Sequence, residues 1–176
     1  MGGGPAARGL KRWLVKSDPA EFSWGDLLAS PGRATRWDGV RNYQVRNMIR
    51  DEMRPGDPVL LYHSSAGPPA VVGVAAVAGR GYPDPTQFDA GDPRFDPGAG
   101  RDAPRWYAFD LRAERALPRP VTLEAMRASP ALAGMALLRR GSRLSILPVS
   151  GAEWDEVLRL GGAPREARGR PKAAPG

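Results

Sequence analysis

The chain has no cysteine and a single histidine in 176 residues. The first absence excludes disulfides, thiolate metal sites and a cysteine nucleophile, and it fits an intracellular protein. The second leaves His63 as the sole imidazole, too little for a transition-metal cage. Ser64 follows His63 directly, so the two do not face one another along a strand, and no G-x-S-x-G motif supplies a nucleophile. The phosphate cradles G-x-x-x-x-G-K-[ST] and G-x-G-x-x-G are also missing, which removes the usual sites for nucleoside triphosphates and dinucleotides. Asp84, Asp89, Asp92 and Asp96 lack the spacing of a calcium loop and are interrupted by Pro, so they read as turn formers. No apolar run approaches the ~20 residues of a helical membrane span. Met1 to Leu10 is Gly/Ala-rich without an apolar centre, and is not expected to act as a secretory signal. No cofactor, metal or membrane partner is expected.

What is present is a length suited to one core and an uneven distribution of charge. The net charge is +7, but residues 1–12 and residues 163–176 contribute +3 each. The remaining residues hold 19 basic and 18 acidic groups, a balance of +1. The expected organisation is therefore a basic, disordered tail over 1–12, one domain over 13–162, and a second basic tail over 163–176. Such tails add salt-sensitive attraction to nucleic acid or serve solubility alone. The core is no polycation, which favours a local site over broad tracking of phosphates.

Along the chain, Trp13-Leu14-Val15 reads as a buried strand. Ser23 and Asp26 form a capping box for a helix over 24–29. Asn42 caps a helix over 43–53, with Val45, Met48, Ile49 and Met53 at core-facing spacing. Strands over 59–63 and 70–77 are expected to pair as a hairpin. Residues 81–104 read as a long loop. A strand follows over 105–112, Thr122 caps a helix over 123–128, and a last strand covers 143–149. Ser150 and Glu153 cap the final helix, which Gly161-Gly162 ends. Strands do not alternate with long helices, so an α+β domain around a curved or barrel-like sheet is expected.

The densest chemistry lies in Arg36-Trp37-Asp38-Gly39-Val40-Arg41-Asn42-Tyr43-Gln44-Val45-Arg46-Asn47. Aromatic rings stack on flat bases, while Arg and Asn direct hydrogen bonds to base edges or phosphates. The same residues also fit a core aromatic, a helix cap and solvated arginines. Polar groups recur at Lys16-Ser17-Asp18, His63-Ser64-Ser65 and Arg143-Leu144-Ser145. Strand ends of a small barrel gather at one mouth, which favours a ligand site there.

These segments carry a resemblance. Trp13 to Pro19 resembles the opening W-L-x-K-S-E-P of the EVE domain family, with Asp18 in place of Glu. Trp37 to Asn47 resembles its W-x-G-V-R-N-Y-x-A-R-N, with Val45 in place of Ala. Arg54-Pro55-Gly56-Asp57 to Tyr62-His63-Ser64, Val72 to Ala75, Tyr82 to Phe88, and Arg143-Leu144-Ser145 to Trp154 follow in the family's order, over residues 13–160. The resemblance implies a PUA-like mixed β pseudobarrel flanked by short helices, related to YTH domains. It implies a non-catalytic module that takes a modified base, methylated or hydroxymethylated, out of DNA or RNA. Trp37 would stack on the base, and Ser17, Asn42 and the backbone at Val40 would read its edge. Tyr62, His63, Ser64, Tyr82, Asp84 and Gln87 would line the pocket. Arg41, Arg46 and Arg143 would hold phosphate or shape the site, beside Lys16 and Tyr43. Arg143 would equally serve as a structural partner for Asp84. Restriction or other nucleic-acid-processing proteins are the implied partners, with a monomer in the cytoplasm, on the nucleoid or in the nucleus. Two alternatives stay open: a base-processing hydrolase using His63 and Asp84, and a protein-interaction module. Residues 89–104 read as a surface insertion or as a lid over the mouth.

Overall fold

Alternation in the first strand decides which side of the sheet each residue serves. In β1 (Arg12–Ser17), Trp13 and Val15 enter one apolar cluster while Leu14 enters another. A computed structural model describes residues 9–164 and shows how both clusters are covered. The elements that follow are α1 (Trp24–Ala29), β2 (Ala34–Trp37), α2 (Tyr43–Asn47), β3 (Pro58–His63), β4 (Ala70–Val77) and β5 (Tyr82–Pro83). Then come β6 (Tyr107–Thr122), α3 (Leu123–Arg127), β7 (Ile146–Val149) and α4 (Gly151–Leu160). The strands lie in the order β2-β6-β4-β3-β1-β7, with β5 beside β6. β1 and β3 run parallel; the other neighbours are antiparallel.

The first cluster packs Trp13, Val15, Leu61, Phe109 and Ile146 under Trp24 and Leu27 of α1 and Val45 of α2. The second packs Leu14, Leu60, Tyr62 and Val121 under Met126 of α3 and Trp154 of α4. The sheet is thus buried on both faces, which is why Val59-Leu60-Leu61-Tyr62 is apolar without alternation. Gly73 makes room for this packing, since a Cβ there would stand 2.6 Å from the Trp24 ring.

Helix ends follow the sequence signals. Ser23 with Asp26 and Ser150 with Glu153 form complete capping boxes. Asn42 and Thr122 accept from the backbone at Val45 and Ala125. Helix α2 does not run regularly to Met53: it passes into a π turn over Met48–Glu52, which keeps Met48, Ile49 and Met53 buried.

Several elements depart from expectation: β5 falls inside the expected 81–104 loop, β6 begins at Tyr107 rather than Arg105, and β7 begins at Ile146 rather than Arg143. β6 is 16 residues long rather than ending at Arg112. Pro118 and Pro120 fall where its register with β4 breaks, between the pairs Gly73–Ala116 and Val71–Val121, so neither removes a ladder bond. The short β2 was not expected at all, and it delivers Trp37 to the edge of the sheet. Of the expected tails, residues 1–8 and 165–176 lie outside the described residues. Lys11 is already held, its N–H donating to Asp57 Oδ1 at 3.2 Å.

Candidate nucleic-acid interface

Trp37 is the last residue of β2, opposite Phe109 of β6. It is half-buried against the first cluster, and the ring of Phe22 meets it edge-on at 6.1 Å. β2 runs opposite to β1 and β3, so Trp37 does not share a strand end with Ser17 and His63. This corrects the expectation that strand ends alone assemble the mouth. The turn after β1 makes the connection instead. Ser17 Oγ donates to the carbonyl of Phe22. His63 Nε2 accepts the N–H of Trp24 at 3.0 Å. Ser64 N–H donates to Ser17 O at 2.9 Å, locking the ends of β1 and β3 together. Ser17 and His63 therefore fasten the segment that carries Phe22 to Trp37. Phe22 was missed in the sequence because nothing local distinguishes it from a core aromatic.

On the other flank of Trp37, the backbone reverses at Gly39, whose φ is +78°. The fully buried Asp84 fixes this reversal. Its Oδ2 accepts from Gly39 N–H at 2.8 Å and from Arg41 Nη1 at 3.1 Å. Its Oδ1 accepts from the Thr86 N–H at 2.8 Å and the Thr86 hydroxyl at 2.6 Å. Burial pushes this carboxyl up, but the bonds from Thr86, Gly39 and Arg41 outweigh it and hold it below the usual carboxylate range. Arg41 also donates to Val40 O, Thr86 Oγ1 and Arg94 O, and its guanidinium lies 5.5 Å from the centre of the Trp106 ring. Arg41, not Arg143, is thus the partner of Asp84; Arg143 is exposed on the loop before β7.

Gln87 is equally committed. Its amide donates to Asp84 O and Trp106 O and accepts from the N–H groups of Arg105 and Trp106, all within 3.0 Å. Tyr82 donates to Asp110 at 2.6 Å, and burial with that bond pushes its hydroxyl pKa up. Tyr62 faces the second cluster, away from Trp37, because β3 alternates and Leu61 takes the first. It does not line the Trp37 face as expected. The His63 imidazole is pushed below its ordinary value by burial, which suits a neutral ring accepting from Trp24.

Asn42 and Tyr43 remain near the surface. Asn42 Oδ1 caps α2 at 3.1 Å, leaving its amide N–H groups for another partner. Tyr43 is 54 % exposed and packs on Trp106 at 4.9 Å, with the Arg46 guanidinium 5.0 Å from its ring centre. Arg46 is tied to the backbone of Arg105 at 2.8 Å. Lys16 reaches Ser142 O at 3.4 Å, and burial lowers its pKa.

The 89–104 segment is fastened to this region. Arg94 bridges Asp38 and Asp92, holding the Asp92 carboxyl down to about 2. Asp96 accepts from Trp106 Nε1 at 2.8 Å and Arg105 Nη1 at 3.0 Å. Arg94 O also accepts from Arg41, so Arg94 ties the segment to the Asp38–Arg41 turn.

A curved mixed sheet with short helices on both faces and an aromatic edge beside a rigid turn defines an α+β domain of PUA-like type. Residues 11–160 match the family model described as EVE domain, and the chain belongs to that family. Thymocyte nuclear protein 1 of Homo sapiens is 36% identical over 165 residues, covering 84% of this chain and 72% of that protein. An uncharacterized protein of Schizosaccharomyces pombe is 40% identical over 145 residues, covering 81% of this chain and 60% of that protein. Among solved structures, human THYN1 in complex with 5-methylcytosine-containing DNA superposes with a TM-score of 0.80 at 35% identity, covering 86% of this chain and 97% of that one. A Pseudomonas syringae protein gives 0.79 at 37% identity, covering 85% and 99%. No helix among the described residues is long and apolar enough to cross a membrane.

Proposed function

We propose that this chain is a non-catalytic reader of DNA carrying a modified cytosine, with the base drawn out of its stack and laid against Trp37. The observation that carries the reading is the state of Trp37: half-buried, backed by Phe22, and held between two hydrogen-bonded anchors. The similarity to a human protein solved with 5-methylcytosine-containing DNA supports the choice of ligand. Asn42 offers its free amide N–H groups to the acceptors of a base edge. Ser17, His63, Asp84 and Gln87 serve by holding the site rather than by touching the base. Extraction costs a few kcal/mol, and stacking returns about 1–3 kcal/mol, so selectivity rests on the bonds and methyl contact added to stacking.

The hydrolase alternative asks His63 to take a proton and Asp84 to assist. Yet His63 Nε2 already accepts from Trp24, and Asp84 already accepts four bonds without exposure to solvent. The test is a binding panel of short DNA and RNA oligomers bearing single modified cytosines or adenines, with Trp37→Ala as control. The expected result is preference for a modified cytosine in DNA, lost in the variant, with the oligomer recovered unchanged. Equal binding of modified and unmodified oligomers refutes the reading, and chemical conversion of the oligomer supports the hydrolase instead.

A further inference from the structure

Several arginines of this chain are neutralised by the fold itself. Arg36, Arg41, Arg94, Arg105 and Arg159 each sit on a carboxylate. Arg139, Arg140 and Arg143 are exposed, and among the described residues none of them has a carboxylate partner. They lie close together on the loop that enters β7, and the sequence from Ala128 to Ala152 contains no Asp or Glu. The loop turns sharply at Gly141, where φ is +74°, a conformation that glycine adopts without strain. No internal counter-ion explains three arginines within five residues, and such clusters attract an external polyanion.

The fold places this loop beside the candidate site. β7 runs antiparallel to β1, with Ile146 opposite Val15, and the pairing continues as Lys16 N–H donates to Ser145 O at 2.9 Å. The loop therefore borders the end of β1 where Ser17 holds Phe22 against Trp37. Leu144 packs against both apolar clusters and anchors the loop to the domain. Lys16 Nζ stands behind it, within 3.4 Å of Ser142 O.

We propose that the 139–143 loop, with Lys16 behind it, is the edge on which a DNA duplex seats its phosphate backbone while a base is held at Trp37. This rests on the base-reading proposal for the duplex; it keeps Arg143 and Lys16 at the phosphates and replaces Arg41 and Arg46 there by Arg139 and Arg140. Arg41 and Arg46 are committed to internal acceptors, whereas Arg139, Arg140 and Arg143 are exposed, and of the three only Arg139 reaches an internal acceptor, Gly134 O at 3.5 Å. Arg forks match phosphate oxygens bidentately. A phosphate near Lys16 would also compensate the burial that lowers its pKa.

The experiment measures affinity for a methylated and an unmodified DNA duplex between 50 and 200 mM salt, using the full chain. The test variant carries Arg139→Gln, Arg140→Gln and Arg143→Gln. A control variant carries Arg50→Gln, Arg112→Gln and Arg159→Gln, removing the same charge from exposed arginines that each hold a carboxylate. Each lost phosphate contact reduces the log–log salt slope by about 0.9, so three reduce it by about 2.7, a deficit that grows about 40-fold from high to low salt. Expected is that drop for both duplexes in the test variant, a smaller one in the control, and an unchanged ratio between methylated and unmodified DNA. Equal slopes in the two variants, or no drop in the test variant, overturn the proposal. A chain that never distinguishes the two duplexes, yet shows the selective drop, refutes base reading and leaves the phosphate edge standing.

Discussion

Replacing Asp84 by Asn keeps the side chain's shape and turns one acceptor end into a donor. Either orientation of the amide sets its NH2 against two donors: Gly39 N–H and Arg41 at one end, or both donors of Thr86 at the other. Losing one partner of a buried ion pair costs about 3–5 kcal/mol. Arg41 keeps three other acceptors and its side chain is 25% exposed, which places this case at the lower end, about 3 kcal/mol. For a domain of this size that is roughly 6–12 °C in melting temperature. Urea unfolding and a thermal melt of the Asp84→Asn variant measure it at neutral pH. The pH dependence supplies an independent check. The carboxyl is held below its ordinary value, so its stabilisation is complete above the unfolded value near 3.9 and is lost as pH falls through the lower native value. Wild type and variant should therefore converge in acid. A loss under about 1 kcal/mol at neutral pH, or a gap that persists in acid, refutes Asp84 as the charged hub of the turn.

Trp37→Ala should weaken binding to a methylated duplex by roughly 5- to 150-fold, the worth of one stacked base, as read by fluorescence anisotropy. Gly39→Ala should cost about 1–2 kcal/mol in a urea melt and weaken binding too, because φ is +78° and the new Cβ would stand 2.9 Å from Arg94. The burial that lowers the His63 pKa means that stability present above the ordinary value near 6.5 is lost as pH falls through the lower native value. Urea midpoints between pH 7.5 and 5 should show that loss in wild type, and a smaller one in His63→Gln.

Much of the fold is legible because its signals are local. Capping boxes at Ser23 and Ser150, the Asn42 cap and the apolar runs at Val59 and Val71 act over a few residues, and they fix where elements begin. What the sequence hides is pairing at a distance. β2 carries only Ala34-Thr35-Arg36-Trp37, with no apolar alternation to mark it, and it exists because β6 offers a free edge. The second half of β6 is masked by Pro118 and Pro120, which are tolerated only because the register with β4 breaks there. The candidate site shows the same division. Trp37, Asn42 and Asp84 stand out by residue type, yet that type does not say whether a polar side chain faces a ligand or its own backbone. Gln87 looks like a base-reading amide and spends all its bonds on Asp84, Arg105 and Trp106. Arg139 and Arg140 look like ordinary surface charge, and only the β1–β7 register sets the loop that carries them at the end of β1.

The distribution of satisfied and unsatisfied groups says more about function than the number of polar residues near Trp37. A reader of an extruded base gains when its platform is rigid before the base arrives, since ordering the site at binding would subtract from a modest stacking energy. In this chain the 38–41 turn, the Phe22 segment and the 89–104 segment are each held by hydrogen bonds to side chains of other segments. Asp84, Gln87, His63 and Ser17 are the fixed points of that scaffold, and their commitments leave no lone general base aimed at Trp37. Groups with free hydrogen-bonding capacity occur instead at the periphery: the Asn42 amide on one side and the 139–143 arginines on another. The two proposals divide along the same line: selectivity should follow Trp37, and salt-dependent affinity should follow the loop.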